Sequence, residues 1–264
     1  MVLIPSYNPG GKVFETVRAA REQWEPVWVV VDGSTDGTAA SLQEMALRDP
    51  GLRVLVRAKN GGKGAAVLDG LTEASTQGFT HVLTMDSDGQ HPADRIAAFM
   101  ADSATHPEAM ILGEPVFDTS APSIRVKGRK ISNWWANLET LWSGIHDSLF
   151  GFRVYPIAPL LRLMRSTLWM RRFDFDVEAV VRLSWAGVPA RNLPAQVKYF
   201  TAAEGGVSSR VLADDGIPAD TGDIPLGDLP SFPADPAARS LLTEQLGAWA
   251  AGGEPPYPHP SNAR

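Results

Sequence analysis

The sequence contains no cysteine, which excludes both disulfide bonds and thiolate metal sites and makes the cytosol the default compartment. No apolar run approaches the roughly 18 residues that are needed to span a bilayer. Positive charge is in deficit, since 24 lysines and arginines face 30 aspartates and glutamates, for a net charge of −6. A nucleic-acid partner is therefore not expected, because such partners require a basic surface. A strand predicted at 2–4 leaves no room for a signal peptide. We predict a cytoplasmic protein, with peripheral contact at the inner face of the membrane left open.

The first half of the sequence alternates apolar strands with helical stretches. Strands are predicted at 2–4, 27–31, 52–56, 80–85 and 109–112, and helices at 12–23, 38–48, 63–76 and 92–100. The strands are rich in valine, isoleucine and leucine on both faces, which is typical of a parallel sheet covered by helices on both sides. The sequence therefore predicts an α/β fold with a Rossmann-like, mostly parallel sheet.

The second half has a different character. Helical periodicity runs from 123 to 185 with an interruption at 151–156, and 191–199 is predicted as one more strand. After residue 202 the sequence is rich in proline and poor in apolar runs, with one short helix predicted from Asp235-Pro236. We predict a single domain over residues 1–202 and an irregular extension over 203–264.

The most informative stretch follows the fourth predicted strand and reads D-S-D-G-Q-H-P from Asp86 to Pro92. Side chains of an extended chain alternate between faces, so Asp86, Asp88 and Gln90 are expected to point the same way. Three oxygen ligands at the end of a buried strand suit a hard divalent cation, Mg²⁺ or Mn²⁺. The alternative is a surface loop whose aspartates cap the following helix.

Polar loops also follow the first two strands, and ligands of open α/β sheets bind at that edge. The first loop, P-S-Y-N-P-G, begins at Pro5 and offers Tyr7 either to a nucleotide ring or as an ordinary turn residue. The second loop begins at Asp32, directly after an apolar strand. Asp32 is too early in the loop to cap the next helix, which favours a hydrogen bond to a base or a ribose.

The loop after the third strand, N-G-G-K-G, runs from Asn60 to Gly64. It matches neither a phosphate-binding P-loop nor the dinucleotide-binding fingerprint. A glycine-rich turn that opens a helix provides amide donors, and with Lys63 it suits phosphate or sugar atoms. The alternative is a tight turn with a solvated lysine.

Together these motifs resemble the family 2, GT-A-type glycosyltransferases. P-S-Y-N ends the first strand, V-D-G-S-T-D-G-T the second, N-G-G-K-G-A-A the third and D-S-D-G-Q-H-P the fourth, in the order and spacing of that family. Two later stretches, D-S-L-F-G-F-R-V-Y from Asp147 and F-D-F-D-V-E from Phe173, look like its D-x-x-x-G-F-R-x-Y and F-x-x-E blocks. The resemblance covers roughly residues 2–210 and is strongest to the dolichyl- and polyprenyl-phosphate mannosyl- and glucosyltransferases.

The resemblance implies a GT-A fold and a nucleotide-sugar donor linked to UDP or GDP. It implies that the divalent ion is held by Asp86, Asp88 and Gln90. It implies contacts with the donor nucleotide from six residues, Pro5, Tyr7, Asp32, Lys63, Asp86 and Asp88. One position departs from the family pattern, because Val31 stands where the first of two consecutive acids is usual.

At the acceptor end, the resemblance implies phosphate contacts from Arg125, Arg129 and Arg153. A hydroxyl acceptor needs a general base, whereas a phosphate acceptor is already an anion and needs none. Asp147 and Glu178 are carboxylates in matching blocks, so either is a candidate base, and the alternative for both is ion pairing. The residues that the resemblance favours for a catalytic role are Asp147, as a base, and Arg153, as a cation that faces phosphate.

The predicted function is metal-dependent, inverting hexosyl transfer from a nucleotide sugar to a polyprenyl phosphate or another lipid-like acceptor. Two alternatives stay open. One keeps the donor chemistry and uses a hydroxyl of a saccharide or metabolite as acceptor. The other is a glycosyltransferase-like module that binds a nucleotide or a partner protein without turnover.

An apolar stripe occupies residues 127–145, directly after a basic cluster. Its members recur at helical spacing and are Trp134, Leu138, Leu141, Trp142 and Ile145. Such a helix either lies in a membrane interface or packs beneath an acceptor pocket.

Overall fold

The computed structural model describes residues 1–117, 123–167 and 169–198, without the side chains of 123–128, 130 and 131. The described strands are β1 Val2–Ser6, β2 Val27–Asp32, β3 Leu52–Arg57, β4 His81–Thr84, β5 Met110–Val116, β6 Arg153–Pro156 and β7 Ala190–Gln196. The described α-helices are α1 Lys12–Gln23, α2 Thr38–Arg48, α3 Lys63–Thr76, α4 Ile96–Thr105, α5 Ser123–Glu139, α6 Ile157–Ser166 and α7 Phe175–Trp185. A single 3₁₀ turn, Ala93–Arg95, precedes α4.

The strands form one sheet in the order β3-β2-β1-β4-β6-β5-β7. All pairs are parallel except those of β6, which runs antiparallel to both β4 and β5. From β1 the chain builds the sheet first towards β2 and β3 and then, through β4, in the opposite direction. The carboxyl ends of β1 and β4 therefore form a topological switch point, which is where open α/β sheets bind ligands.

The core lies on both faces of the sheet. Every residue of β1 and β2 is buried, in agreement with the Val/Ile/Leu-rich pattern of these strands. On one face, α3, α6 and α7 pack together through side chains such as Leu71, Leu160 and Val180. The predicted α/β architecture with a mostly parallel sheet is confirmed.

Strand β6 was not predicted, since the sequence indicated only an interruption of a helical region at 151–156. The strand is four residues long, fully buried, and flanked by helices. A run this short carries no periodic signal, and its pairing with β4 and β5 depends on contacts far away in sequence. The helix predicted at 92–100 also begins later, because Pro92 is extended and a 3₁₀ turn intervenes.

The apolar stripe of 127–145 is not one continuous helix. Helix α5 ends at Glu139, and Leu141 and Trp142 then adopt left-handed φ angles of 52° and 56°. Ile145 is buried and Trp135, outside the predicted stripe, is 54% exposed. Within the described residues, no helix combines the length and apolarity that crossing a membrane requires.

The described residues from Met1 to Lys198 fall in one compact unit. The division predicted at residue 202 stays a prediction. The proline-rich extension 203–264, together with the helix predicted from Asp235, lies outside the described residues.

Candidate active site

A lysine bridges two carboxylates at the switch point. Lys63, the first residue of α3, places Nζ 2.6 Å from Asp86 Oδ1 and 2.7 Å from Asp176 Oδ2. The side chains of Lys63 and Asp176 are 10% and 12% exposed, whereas that of Asp86 is 36% exposed. Asp86 is therefore the member of this charged group that is open to solvent, and Asp176 is a buried member.

The charges of this group hold one another in place. Burial lowers the pKa of Lys63, but the neighbouring Asp86 and Asp176 charges outweigh it, so the pKa is raised above its ordinary value. Burial also opposes ionisation of Asp86, but the Lys63 ammonium prevails and lowers the pKa of Asp86 to about 2. At neutral pH the site therefore contains a permanent ammonium beside a permanent carboxylate.

Asp176 was not among the predicted site residues. It lies in the first turn of α7, 113 residues from Lys63 in sequence. Its Oδ1 atom is buried and has no hydrogen-bond partner among the described residues. A β-carbon built on Gly151 would lie 2.7 Å from Lys63 Nζ and 3.2 Å from Asp176 Oδ1, so a larger residue there would have to displace the end of the Lys63 side chain. For Asp176, the one signal available in the sequence was its position in the F-D-F-D-V-E block.

His91 is a second residue for which the sequence predicted no role. The backbone N–H of Asp86 donates to His91 Nδ1 at 2.9 Å, and Nε2 lies 3.5 Å from Asp86 Oδ2. The ring is buried edge-on against Phe150 and Phe152. Burial lowers the pKa of His91, which favours the neutral ring that this hydrogen bond requires. His91 therefore fixes the backbone that presents Asp86.

The remaining predicted metal ligands lie in the same loop. Asp88 is exposed, and its Oδ1 accepts the N–H of Gln90 at 2.9 Å. The Gln90 carbonyl accepts the N–H of Lys198 at 3.1 Å, which ties the loop to the end of the described chain. Across the described ranges, no cluster of three or more histidines, aspartates and glutamates is arranged to hold a metal ion. A metal on Asp86, Asp88 and Gln90 stays a prediction.

Asp32 is used by the protein itself. Its carboxylate is 2% exposed and accepts the N–H groups of Gly61 at 3.0 Å and Gly62 at 2.7 Å. The Arg57 guanidinium also donates to it and makes a second ion pair with Asp69. The hydrogen bond to a base or a ribose that the sequence predicted is therefore not available to Asp32 in this arrangement. Its role here is to hold the third loop against β2.

The amides of the third loop are likewise occupied. The N–H groups of Gly64 and Ala65 donate to the carbonyls of Arg172 at 3.4 Å and Arg171 at 2.9 Å. With Gly61 and Gly62 bound to Asp32, four of the amides expected to bind phosphate already have protein acceptors. Lys63 alone of this loop directs a charged group towards Asp86.

The first loop places Tyr7 at the same edge of the sheet. Pro5 is a buried residue of β1, whereas Tyr7 follows the strand and is 52% exposed. The next residue, Asn8, has a left-handed φ of 44° and is bound to the second loop through Ser34 and Thr35. Tyr7 is thus an exposed aromatic ring on a braced loop, and Pro5 can contribute only through the path of the backbone.

Asp147 anchors a loop and does not face solvent. It is 2% exposed, and its oxygens accept hydrogen bonds from Arg129 at 2.6 Å and Asn133 at 3.1 Å. Oδ1 also accepts the backbone N–H groups of Leu149 and Phe150. Three of these donors bind Oδ1 and one binds Oδ2, so both oxygens are engaged in a carboxylate that is already shielded from solvent. The structure therefore favours ion pairing, with Arg129 rather than Arg153, over the predicted catalytic role.

Arg153 lies beneath the site. It is fully buried in β6, where its guanidinium donates to the Tyr155 hydroxyl at 3.0 Å and to the Asp176 carbonyl. A weaker contact joins it to the Asp147 carbonyl at 3.4 Å. Burial lowers the pKa of Arg153, but Tyr155 and Asp176 reverse the effect, so it stays charged. No part of the side chain reaches solvent in this geometry, so the contact with substrate phosphate stays a prediction that the described arrangement does not favour.

Two further residues were predicted to contact the acceptor phosphate. Arg129 is 18% exposed and is held by Asp147, while the side chain of Arg125 lies outside the described side chains. Glu178 pairs with Arg182 one helical turn away on α7. The ion-pair alternative therefore holds for Glu178, although its partner is not Arg153.

The sequence matches the profile of Glycosyl transferase family 2 over residues 1–162. The chain belongs to this family. It is 29% identical over 223 residues to polyprenol monophosphomannose synthase from Mycolicibacterium smegmatis, covering 79% of each protein. It is 27% identical over 198 residues to dolichyl-phosphate beta-glucosyltransferase ALG5C from Trichomonas vaginalis, covering 68% of this chain and 58% of that protein. The resemblance inferred from the motifs is therefore confirmed.

Solved structures show the same fold. The mannosyltransferase PcManGT from Pyrobaculum calidifontis, in complex with GDP-Man and Mn²⁺, superimposes with a TM-score of 0.52 at 18% identity. That match covers 74% of this chain and 55% of the other. The predicted GT-A fold is confirmed. This chain is therefore a family 2 glycosyltransferase with a GT-A fold.

The close approach at Gly64 gives a testable consequence for this glycosyltransferase. A β-carbon at Gly64 would lie 2.0 Å from the Met170 carbonyl oxygen, so Gly64→Ala must push apart the third loop and the segment before α7. We expect a loss of about 2–3 kcal/mol in the free energy of unfolding, measured by urea denaturation.

Gly11→Ala is the matched control, because Gly11 has an ordinary helical φ of −65° and nothing lies within 4 Å of its added β-carbon. An equal loss of stability in the two variants would show that the contact at Gly64 is looser than the structure indicates.

Proposed function

We propose that this glycosyltransferase moves a hexosyl group from a UDP- or GDP-linked sugar to a polyprenyl phosphate, with Mg²⁺ or Mn²⁺ and with inversion. The observation that carries the proposal is the permanently charged Lys63–Asp86 pair at the topological switch point, with Tyr7 exposed on the same edge. The names of its relatives, a polyprenol monophosphomannose synthase and a dolichyl-phosphate glucosyltransferase, support the acceptor class.

The donor set of the D-x-D loop fits a hard divalent cation. Asp86 and Asp88 supply carboxylate oxygens and Gln90 an amide oxygen, and Asp86 is about one-third exposed while Asp88 is exposed. Magnesium is usually held by one or two carboxylates together with substrate phosphates, so no larger protein cluster is needed. When bound, such an ion neutralises the charge that develops on the departing diphosphate. Mn²⁺ in the Pyrobaculum mannosyltransferase supports this assignment.

Lys63 supplies a second, built-in positive charge at the same place. Its ammonium is held by Asp86 and Asp176 and so costs little reorganisation when negative charge grows nearby. Asp32 acts indirectly, since it fixes the Gly61–Gly62 turn from which Lys63 projects. Tyr7 is the one exposed ring of the first loop and is positioned to stack on the donor base.

The acceptor end is better suited to a phosphate than to a hydroxyl. A phosphate oxygen is already an anion, so it can form the new bond to the sugar carbon while the bond to the diphosphate breaks, with no proton to remove. Asp147, the nearest candidate base in the sequence pattern, is buried and accepts hydrogen bonds from four donors, three of them on Oδ1. Arg129, held by that carboxylate, remains as a cationic group for an acceptor phosphate. An acceptor of this kind resides in a bilayer, which implies peripheral contact with the cytoplasmic face of the membrane.

The test combines ligand binding with transfer. Thermal stabilisation by UDP, GDP and their sugars, with and without Mn²⁺, is expected to identify one nucleotide whose effect depends on the metal. With that donor, transfer to a polyprenyl phosphate is expected, and transfer to the corresponding polyprenol is not. Transfer to the polyprenol at a comparable rate would favour the hydroxyl-acceptor alternative. No stabilisation by any nucleotide would favour the non-catalytic module.

Substitution of Asp147 tests whether it is an anchor or a base. Asp147→Asn removes the charge that holds Arg129 and weakens the four hydrogen bonds, so we expect a loss of about 2–3 kcal/mol in the free energy of unfolding. The pH dependence of the remaining transfer rate is expected to keep the shape of the wild type.

Glu178→Gln is the companion variant, since Glu178 is the other carboxylate of a matching block and pairs with Arg182 along the surface of α7. We expect the free energy of unfolding of this variant to change by less than about 1 kcal/mol. Disappearance of the acidic limb of the pH–rate profile in Asp147→Asn, with stability retained, would establish a general base instead.

A further inference from the structure

The segment between α6 and α7 presents two aromatic rings to solvent. Trp169 is 70% exposed and Phe173 is 85% exposed, whereas Met170 between them is fully buried. We refer to residues 169–173 as the aromatic loop. Large apolar side chains are exposed singly in most proteins, but two within five residues form a patch that requires an explanation.

The aromatic loop is held in this conformation by its own hydrogen bonds. The Asp174 carboxylate accepts the N–H of Met170 at 2.9 Å and that of Arg172 at 2.8 Å. The Arg171 guanidinium donates to the carbonyls of Met164 and Thr167, at the end of α6. The two rings are therefore kept outside by a braced turn around the buried Met170.

The same loop is joined to the active site. The carbonyls of Arg171 and Arg172 accept the N–H groups of Ala65 and Gly64, the residues directly after Lys63. The close approach of Gly64 to the Met170 carbonyl belongs to this junction. The aromatic loop thus borders the edge of the sheet where Asp86 and Lys63 lie.

The surroundings of the two rings are strongly basic. From Leu161 to Phe173 the sequence contains four arginines and no acidic residue, and the exposed Asp174 that follows offsets only one of these charges, within a chain of net charge −6. Arg162, Arg165 and Arg172 are exposed, the first two on the outer side of α6. Exposed aromatic rings flanked by arginines match the chemistry of a bilayer surface, where the rings enter the interface and the cations meet anionic headgroups.

We propose that the aromatic loop, together with Arg162 and Arg165, is a docking surface for an anionic lipid bilayer. The occupant is argued from charge complementarity, since the chain as a whole is acidic and this surface is not. The proposal deepens the proposed function, on which it rests, because docking here brings the edge with Lys63 to the membrane that carries the acceptor. It also differs from the location predicted from the sequence, which was the helix beginning near Lys127.

Sedimentation with lipid vesicles tests the surface on the full chain. The vesicles are phosphatidylcholine with or without phosphatidylglycerol, and contain neither nucleotide nor polyprenyl phosphate. Wild type is expected to bind the anionic vesicles. We expect two double variants to weaken vesicle binding about tenfold or more. Trp169→Ser/Phe173→Ser removes the rings that enter the interface. Arg162→Ala/Arg165→Ala removes two cations, each of which accounts for about fivefold near an anionic surface.

Two controls make the experiment specific. Leu47→Ser removes an apolar side chain on α2 that is 87% exposed, and Trp135→Ser removes the 54% exposed tryptophan of α5. Both are expected to bind vesicles as the wild type does. All variants are expected to keep the wild-type melting temperature and its metal-dependent shift with nucleotide, so a failure of docking is distinguishable from a failure of the proposed function.

Three results would overturn the proposal. The first is equal vesicle binding by wild type and Trp169→Ser/Phe173→Ser, including no binding by either. The second is a loss confined to Trp135→Ser, which would assign docking to α5. The third is a fall in molar mass of Trp169→Ser/Phe173→Ser in light scattering without a change in vesicle binding, which would show that a second copy of the chain covers the loop.

Discussion

Asp86→Asn is expected to lower the transfer rate constant, kcat/KM, by a factor of about 10²–10³. Asp86 is the carboxylate on the open side of the charged group, and it retains its charge because Lys63 lies 2.6 Å away and holds its pKa at about 2. Asparagine keeps the shape but provides no charge for a divalent ion on the donor diphosphate. The stabilisation of the protein by nucleotide is therefore expected to become independent of Mn²⁺.

The fold should survive this change. Lys63 keeps its contact with Asp176 at 2.7 Å, and the side chain of Asp86 is already about one-third exposed, so we expect a loss of about 1 kcal/mol in stability. Asp94→Asn is the matched control, an exposed aspartate on the 3₁₀ turn of the same connection. If Asp86→Asn retains metal-dependent nucleotide binding, Asp86 is not a ligand of the metal.

The part of the fold that follows chain order was predictable. Helices α1, α2 and α3 begin and end at the predicted residues, because each follows a parallel strand and its apolar face and loop residues are local signals. Strand β6 was missed, since its four residues enter the middle of the sheet from a helical region and pair with strands distant in sequence. The local sequence pattern identifies individual strands and helices, but it does not show that a later strand, β6, is inserted in the sheet between the two earlier strands β4 and β5.

The same distinction applies to the site. Asp86 was located from its own strand end, and the edge at which it meets Tyr7 and Lys63 follows from parallel topology. The partners were not predictable: Asp32 was expected to bind a ligand and instead binds two amides about thirty positions away, Gly61 and Gly62. Asp147 and Arg153 were identified by motif, and motif spacing does not tell whether a charged side chain faces substrate or supports its neighbours.

Lys63→Met tests the interaction that no sequence pattern indicated, the lysine shared between Asp86 and Asp176. Removing the ammonium leaves two carboxylates without their common partner, one of them with a buried oxygen that already lacks a hydrogen bond. Loss of one partner from a buried ion pair costs about 3 kcal/mol or more, so we expect a fall of that size in the free energy of unfolding at pH 7. Lys59→Met, an exposed lysine four residues earlier, is expected to change it by less than about 0.5 kcal/mol.

The pH dependence of stability separates this pairing from a loss of packing. In the wild type, the lowered pKa of Asp86 contributes stability that is present above the ordinary aspartate pKa and is lost as the pH falls from about 4 through about 2. Without Lys63 that pKa rises, so the variant is expected to lose less stability over this interval, and its deficit relative to the wild type to shrink in acid. Urea denaturation at pH 7, 4 and 3 measures the difference. A deficit that stays constant across these pH values would show that the methylenes of Lys63, rather than its charge, hold Asp86 and Asp176 together.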